Sequence, residues 1–248
     1  MLSKSQISLI KSLQQKKFRK EHQLFIVEGL KAITEFLNSS YTIQSVYCLT
    51  DIIPKLPKLS HKLKVFEVTL NELEKISALQ TPQGILALVE IPQNEAFNED
   101  KANGITLVLD GIQDPGNLGT IIRTADWFGF VDIVCSENTV DIYNPKVIQA
   151  TMGSLTRVKV IYANLETVLK ESKLPKYGTL LSGENLFDAV WPNKGFLLFG
   201  TEGKGISDEI LPLITHPITI PGSGKAESLN VAISVAICCA EIKRNILK

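Results

Sequence analysis

The chain has 248 residues, 26 basic against 26 acidic groups and a hydrophobic share of 44%. That is long enough for one large domain, or a small one beside a larger, and ample for a globular core. The greasiest run, residues 231–240, is about half the length a membrane span needs, and the N-terminus lacks the apolar core and cleavage site of a secretory signal. Cys48, Cys135, Cys238 and Cys239 show no CxxC spacing, so a disulfide framework is not expected and a reducing cytoplasm is favoured. His22, His61 and His216 are far apart, and no metal site is expected.

The neutral total hides an asymmetry. Residues 1–20 carry six basic groups and no acid, leaving 20 basic against 26 acidic in the remainder. Lys16, Lys17, Arg19 and Lys20 are candidates for an arm that binds RNA phosphates; the competing reading is a solvated, partly helical segment. From residue 24 the chain alternates. LFIVEG reads as a strand, GLKAITEFLNS as a helix, and IQSVYCLT and KVFEVT as strands. TLNELEKIS opens with a capping box, Thr69 and Glu72, and TPQGILALVEIP ends in another strand. Residues 91–104 are polar and aperiodic, the best linker in the chain. The expected domains are therefore 1–94, a small α/β unit, and 105–248.

In the second domain longer apolar strands follow: ITLVLD, VDIVCS, VKVIYA, GTLLSG, FLLFG and ITIP. Helical segments are expected at 117–129, 145–153, 164–172, 206–213 and 228–246. This alternation predicts a parallel sheet covered on both faces, with ligands beyond the carboxyl ends of its strands. Three glycine-rich loops lie there: DGIQDPGNLG, GTEGKGIS and PGSGKAESLN. The last imitates a P-loop but has Thr219 for the first glycine and Ala226 for the magnesium-binding hydroxyl, so a nucleotide hydrolase is disfavoured. GTEGKG does not match GxGxxG, and a dinucleotide site is weak. Ser228 has a plain reading as a helix N-cap, and Glu202 as exposed decoration or a partner for a cation. Arg123 falls opposite the apolar stripe of its helix. It can stack on Trp127, pair with Asp126, or present its fork to a phosphate or ribose.

Taken together, LDGIQDPGNLGTIIRTADWFGF, LLFGTEGKGIS and ITIPGSGKAESLNVAISVA resemble the ordered three-motif signature of the SpoU (TrmH-like) RNA ribose methyltransferases of the SPOUT superfamily. The resemblance covers about 105–248. The front part, with FIVEG and TPQGILALVE, is similar to the substrate-binding domain often fused to that family, and to kink-turn RNA-binding ribosomal proteins. The resemblance implies a parallel sheet with a C-terminal trefoil knot, a homodimer with active sites at the subunit interface, and S-adenosylmethionine as cofactor. The implied reaction methylates a ribose 2′-hydroxyl, in ribosomal RNA sooner than tRNA; an inactive RNA-binding assembly factor is the other class. Catalytic positions carry over to Asn117, Arg123, Glu202, Ser228 and Asn230. Cofactor positions carry over to Gly183, Gly200, Glu202, Gly203, Ile220, Ser228 and Leu229. Arg123 is expected to activate the hydroxyl. Since guanidinium holds its proton, the preferred role is to orient the hydroxyl and screen the developing alkoxide. The chain departs from the family at Thr201, commonly Asn, and Gly222, commonly Met.

Overall fold

A computed structural model describes residues 2–93 and 95–246. Met1, Asn94, Leu247 and Lys248, which fall within or at the ends of the expected domains, lie outside the described residues. The first half runs α1 (Lys4–Ser12), α2 (Lys16–His22), β1 (Leu24–Glu28), α3 (Leu30–Leu37), β2 (Ile43–Cys48), β3 (Lys64–Glu67), α4 (Leu70–Ile76) and β4 (Ile85–Glu90). Then come β5 (Ile105–Leu109), α5 (Pro115–Phe128), β6 (Asp132–Cys135), α6 (Pro145–Thr151), β7 (Lys159–Tyr162), α7 (Leu165–Glu171), β8 (Lys176–Asn185), β9 (Gly195–Phe199), β10 (His216–Thr219) and α8 (Val231–Ile246). The chain divides into two compact units: residues 1–93 with 141–156, and residues 94–140 with 157–248.

The first unit holds a mixed sheet of order β1-β4-β2-β3. Its core gathers Ile10 and Leu13, Leu24 and Ile26 of β1, Leu73 and Ile76 of α4, and Leu86 and Leu88 of β4. The capping box at α4 is formed: Thr69 Oγ1 accepts from Glu72 N at 3.3 Å, and Glu72 Oε2 accepts from Thr69 N at 3.0 Å. The Thr69 and Leu2 backbone N–H groups, donating to the carboxylate, hold Glu72 at a pKa of about 2. A depressed carboxylate adds stability above its unfolded pKa of roughly 4.3 and loses it as pH falls towards the folded value. Glu72→Gln is therefore expected to lower the thermal midpoint at pH 7 and to converge with the wild type as pH falls from about 4.5 to 2, flattening the acid limb; an unchanged limb would refute the assignment.

Residues 141–156, which the sequence alone assigns to the second domain, pack in the first unit. Tyr143 lies 4.7 Å from Phe25, ring centre to ring centre, and Arg19 grips Asp141. In the second unit the named strands pair in parallel, in the order β10-β8-β9-β5-β6-β7, the expected parallel α/β sheet. Asp114 caps α5, Pro115 takes its first position, and Gly129 at φ 70° ends it. The helix expected at 206–213 is instead turns with a short 3-10 segment at Leu211–Leu213. Ile206 and Ile210 have helical spacing and are buried, but Pro212 removes a helical N–H donor, and Ser207 N donates to Asp110 Oδ2 at 2.8 Å.

Candidate active site

The carboxyl ends of β5, β9 and β10 carry the three glycine loops. α5 and α8 pack side by side and run parallel: Asn117 and Asn230 meet at their starts, and Lys243 Nζ sits 5.4 Å from the Phe130 ring centre near their ends. Two helix N-termini, each the positive end of its dipole, thus converge on one place. Glu202 from the β9 loop occupies it. Its Oε1 accepts from Asn117 Nδ2 at 2.9 Å, Asn230 Nδ2 at 2.5 Å and Val231 N at 3.4 Å. Asn230 Nδ2 also donates to Asn117 Oδ1 at 3.0 Å. Glu202 is not loose decoration: it closes a ring joining all three loops.

Asn230, not Ser228, caps α8: its Oδ1 accepts from Ala232 N at 3.0 Å and Ile233 N at 3.4 Å. Ser228 is exposed in the preceding loop, outside the ring. Arg123, about two turns along α5, is exposed and makes no hydrogen bond or ion pair among the described residues. Asp126, the partner that spacing offered it, is held by Arg157 at 2.8 Å. Trp127 is 84% exposed. Two residues the sequence reading passed over support the loops. Asp114 Oδ1 accepts from Asn117 N at 2.7 Å, a cap signalled by Asp-Pro at a helix start. Ser136 Oγ accepts from Gly111 N at 2.8 Å, and no sequence pattern marks it.

Of the resembled cofactor positions, Gly183 and Gly200 serve backbone-to-backbone packing. A Cβ on Gly200 would stand 2.0 Å from Gly205 C, and one on Gly183 would stand 2.6 Å from Pro217 C. Thr201 and Gly205 exchange two 2.9 Å backbone bonds, and Thr201 Oγ1 accepts from Lys204 N at 3.0 Å, so the threonine hydroxyl serves the turn. We expect Gly200→Ala to break this turn and abolish binding of S-adenosylmethionine by calorimetry; retained binding would mean the loop has slack that the contacts deny. Gly203 and Gly222 are open, with nothing within 4 Å of a built Cβ. Ile220 is half-buried and Leu229 is 45% exposed. Residues 221–229 are exposed throughout and make no hydrogen bonds among the described residues.

The basic arm needs correction at one position. Lys16, Lys17 and Lys20 are exposed, but Arg19 is 2% exposed. Its guanidinium donates to Asp141 Oδ2 at 2.5 Å and to the carbonyls of Leu13 and Gln14 at 2.8 and 2.9 Å. All its nitrogens are engaged in the fold and none faces solvent for RNA. Among the described residues no group of three or more His, Cys, Asp or Glu could hold a metal ion, and no helix is long and apolar enough to cross a membrane.

Residues 104–240 match the model of the SpoU rRNA Methylase family, and residues 4–87 that of the MRM3-like substrate binding domain. The Bacillus subtilis 23S rRNA (guanosine(2553)-2′-O)-methyltransferase RlmP is 30% identical, over 92% of this chain and 91% of its own. A Neisseria meningitidis 23S rRNA (guanosine-2′-O-)-methyltransferase, RlmB, is 28% identical over 75% and 78%. Among solved structures, a TrmH-family protein of Porphyromonas gingivalis superposes with a TM-score of 0.91 at 38% identity, covering 99% of both chains. An AdoMet-bound rRNA methyltransferase from Sinorhizobium meliloti superposes at 0.88 with 28% identity, covering 100% of this chain and 97% of its own.

Proposed function

The chain belongs to the SpoU rRNA methylase family, and from that premise we propose that it is an S-adenosylmethionine-dependent methyltransferase acting on a ribose 2′-hydroxyl of ribosomal RNA. The observation that carries the reading is the Asn117–Glu202–Asn230 ring, which holds three loops together while leaving Arg123 uncommitted beside them. The residues fit the cofactor: Ile220 and Leu229 offer apolar surface, and the unpaired backbone of 221–229 offers hydrogen bonds to a purine and an amino-acid group. When bound, that cofactor supplies the electrophilic methyl group.

The residues of this chain do the rest. Arg123 orients the 2′-hydroxyl and stabilises the alkoxide as its proton leaves to a phosphate or water. Asn117 is pinned by Asp114 and Glu202 and keeps the start of α5 in place for Arg123. Ser228, exposed beside Leu229, meets cofactor or nucleotide in this reading. We further propose the family's trefoil knot in the β8–β10 region and a homodimer, supported by the exposure of Trp127 and of Ile233 on the two helices that frame the site. We propose a cytoplasmic setting, a reading that the four buried free cysteines support. Labelled S-adenosylmethionine, incubated with the protein and undermodified ribosomal RNA or tRNA, is expected to transfer label to ribosomal RNA. Label in neither RNA would sink the enzyme reading, and label in tRNA alone would change the substrate. Cofactor is also expected to slow amide hydrogen exchange across 221–229 at least tenfold.

A further inference from the structure

Residues 55–64, KLPKLSHKLK, join β2 to β3 and alternate two kinds of side chain. Leu56, Leu59 and Leu63 are half-buried and pin the segment, while Lys55, Lys58, Lys62 and Lys64, with His61, are exposed. No acid occurs between Asp51 and Glu67. None of the four ammonium groups has an ion pair or hydrogen bond among the described residues, although exposed lysines elsewhere find carboxylates: Lys159 with Glu95 and Lys170 with Glu166, both at 2.6 Å. β3 pairs with β2 alone, so the cluster lies on an open sheet edge. The two units also divide the charge. The first has 13 Lys and Arg against 9 Asp and Glu, a net +4; the second has 13 against 17, a net −4. In the first, Glu28 is buried and Asp141 is cancelled by Arg19, which leaves the lysines even less opposed.

We propose that residues 55–64 form a phosphate-binding surface that tracks the backbone of the RNA substrate, independently of the 16–20 arm; this rests on the RNA-substrate reading above. Four unpaired ammonium groups on a pinned loop match a polyanion, and their attraction grows by releasing its counterions. The surface reads backbone and not bases. Phe66, just beyond it in β3, is stacked on Tyr47 with centres 5.0 Å apart, so base stacking from this surface falls to His61 alone while four lysines meet the backbone.

The test uses the full-length protein with Lys55, Lys58, Lys62 and Lys64 all changed to Gln. Binding of a labelled undermodified ribosomal RNA fragment is followed by anisotropy across a salt series. The expected result is a slope of log affinity against log salt shallower by roughly two to four units, from about 0.7–0.9 per lost phosphate contact. KM for RNA should rise at least tenfold, while kcat at saturating RNA and the S-adenosylmethionine affinity are unchanged. The matching Lys→Arg variant should keep the wild-type slope, which separates lost charge from lost fold. A wild type that methylates this RNA and a Gln variant with the same slope and KM would overturn the surface alone. Loss of binding to poly-glutamate without loss of RNA binding would overturn it in favour of an acidic protein partner. A wild type that binds no RNA would overturn the surface and the substrate reading together.

Discussion

Arg123→Ala is expected to lower kcat for methyl transfer by roughly 10²–10⁴-fold, the range lost with one transition-state donor or proton-handling group, with cofactor affinity and thermal midpoint nearly unchanged. Arg123 is exposed and has no hydrogen bond or ion pair among the described residues, so truncation breaks no polar contact of the fold. Arg123→Lys should recover part of the rate, because a point charge screens an alkoxide but cannot orient it with a fork. If Arg123 acts electrostatically, the slope of log kcat against pH should be the same in Arg123→Lys as in the wild type. A change of slope would mean that the side chain itself titrates. The proposed dimer adds a sharper test. Where each site joins the arginine of one subunit to the cofactor loops of the other, mixed dimers of Arg123→Ala with Leu229→Asp should regain activity that neither parent has. Mixtures that stay dead would place both halves of the site in one subunit, and full activity in Arg123→Ala alone would remove Arg123 from the mechanism.

The sequence makes some of this legible because the signals are local. Apolar strands alternating with amphipathic helices announce the parallel sheet, and Thr69 with Glu72 announces the start of α4. The three loops are visible as glycine clusters after strands. What joins them is not. Glu202 accepts from Asn117, 85 positions away, and from Asn230, 28 positions away, and no periodicity encodes such pairs. Judged alone, Glu202 reads as exposed decoration and Ser228 as the cap of α8; only the ring shows that Glu202 is fixed and that Asn230 does the capping. Arg19 misled for the opposite reason. Its neighbours Lys16, Lys17 and Lys20 share its charge, and composition cannot tell the member whose partner stands 122 positions downstream. The segment 141–156 could not be assigned for the same cause, since it is contiguous in sequence with β6 and β7 of the second unit but packs in the first.

Asp141→Ala is expected to destabilise the first unit by about 3 kcal/mol, the lower end for breaking a buried pair from one side, because Asp141 keeps 15% of its side-chain exposure while Arg19 keeps 2%. The cost lies mainly in what remains. Arg19 would stay enclosed with carbonyl partners at Leu13 and Gln14 but no counter-charge. The thermal midpoint should fall by on the order of 10 °C. Replacing both partners with apolar residues of similar size, as in Arg19→Met with Asp141→Leu, should restore most of the loss, since it removes the charge and its desolvation together. The same variants decide what Arg19 is for. If it serves the fold, Arg19→Ala lowers the midpoint and leaves the salt slope of RNA binding alone. If it belongs to the basic arm, the slope shallows by about 0.7–0.9 and the midpoint stays. The first outcome is expected, because a guanidinium already donating to one carboxylate and two carbonyls has little left to offer a phosphate.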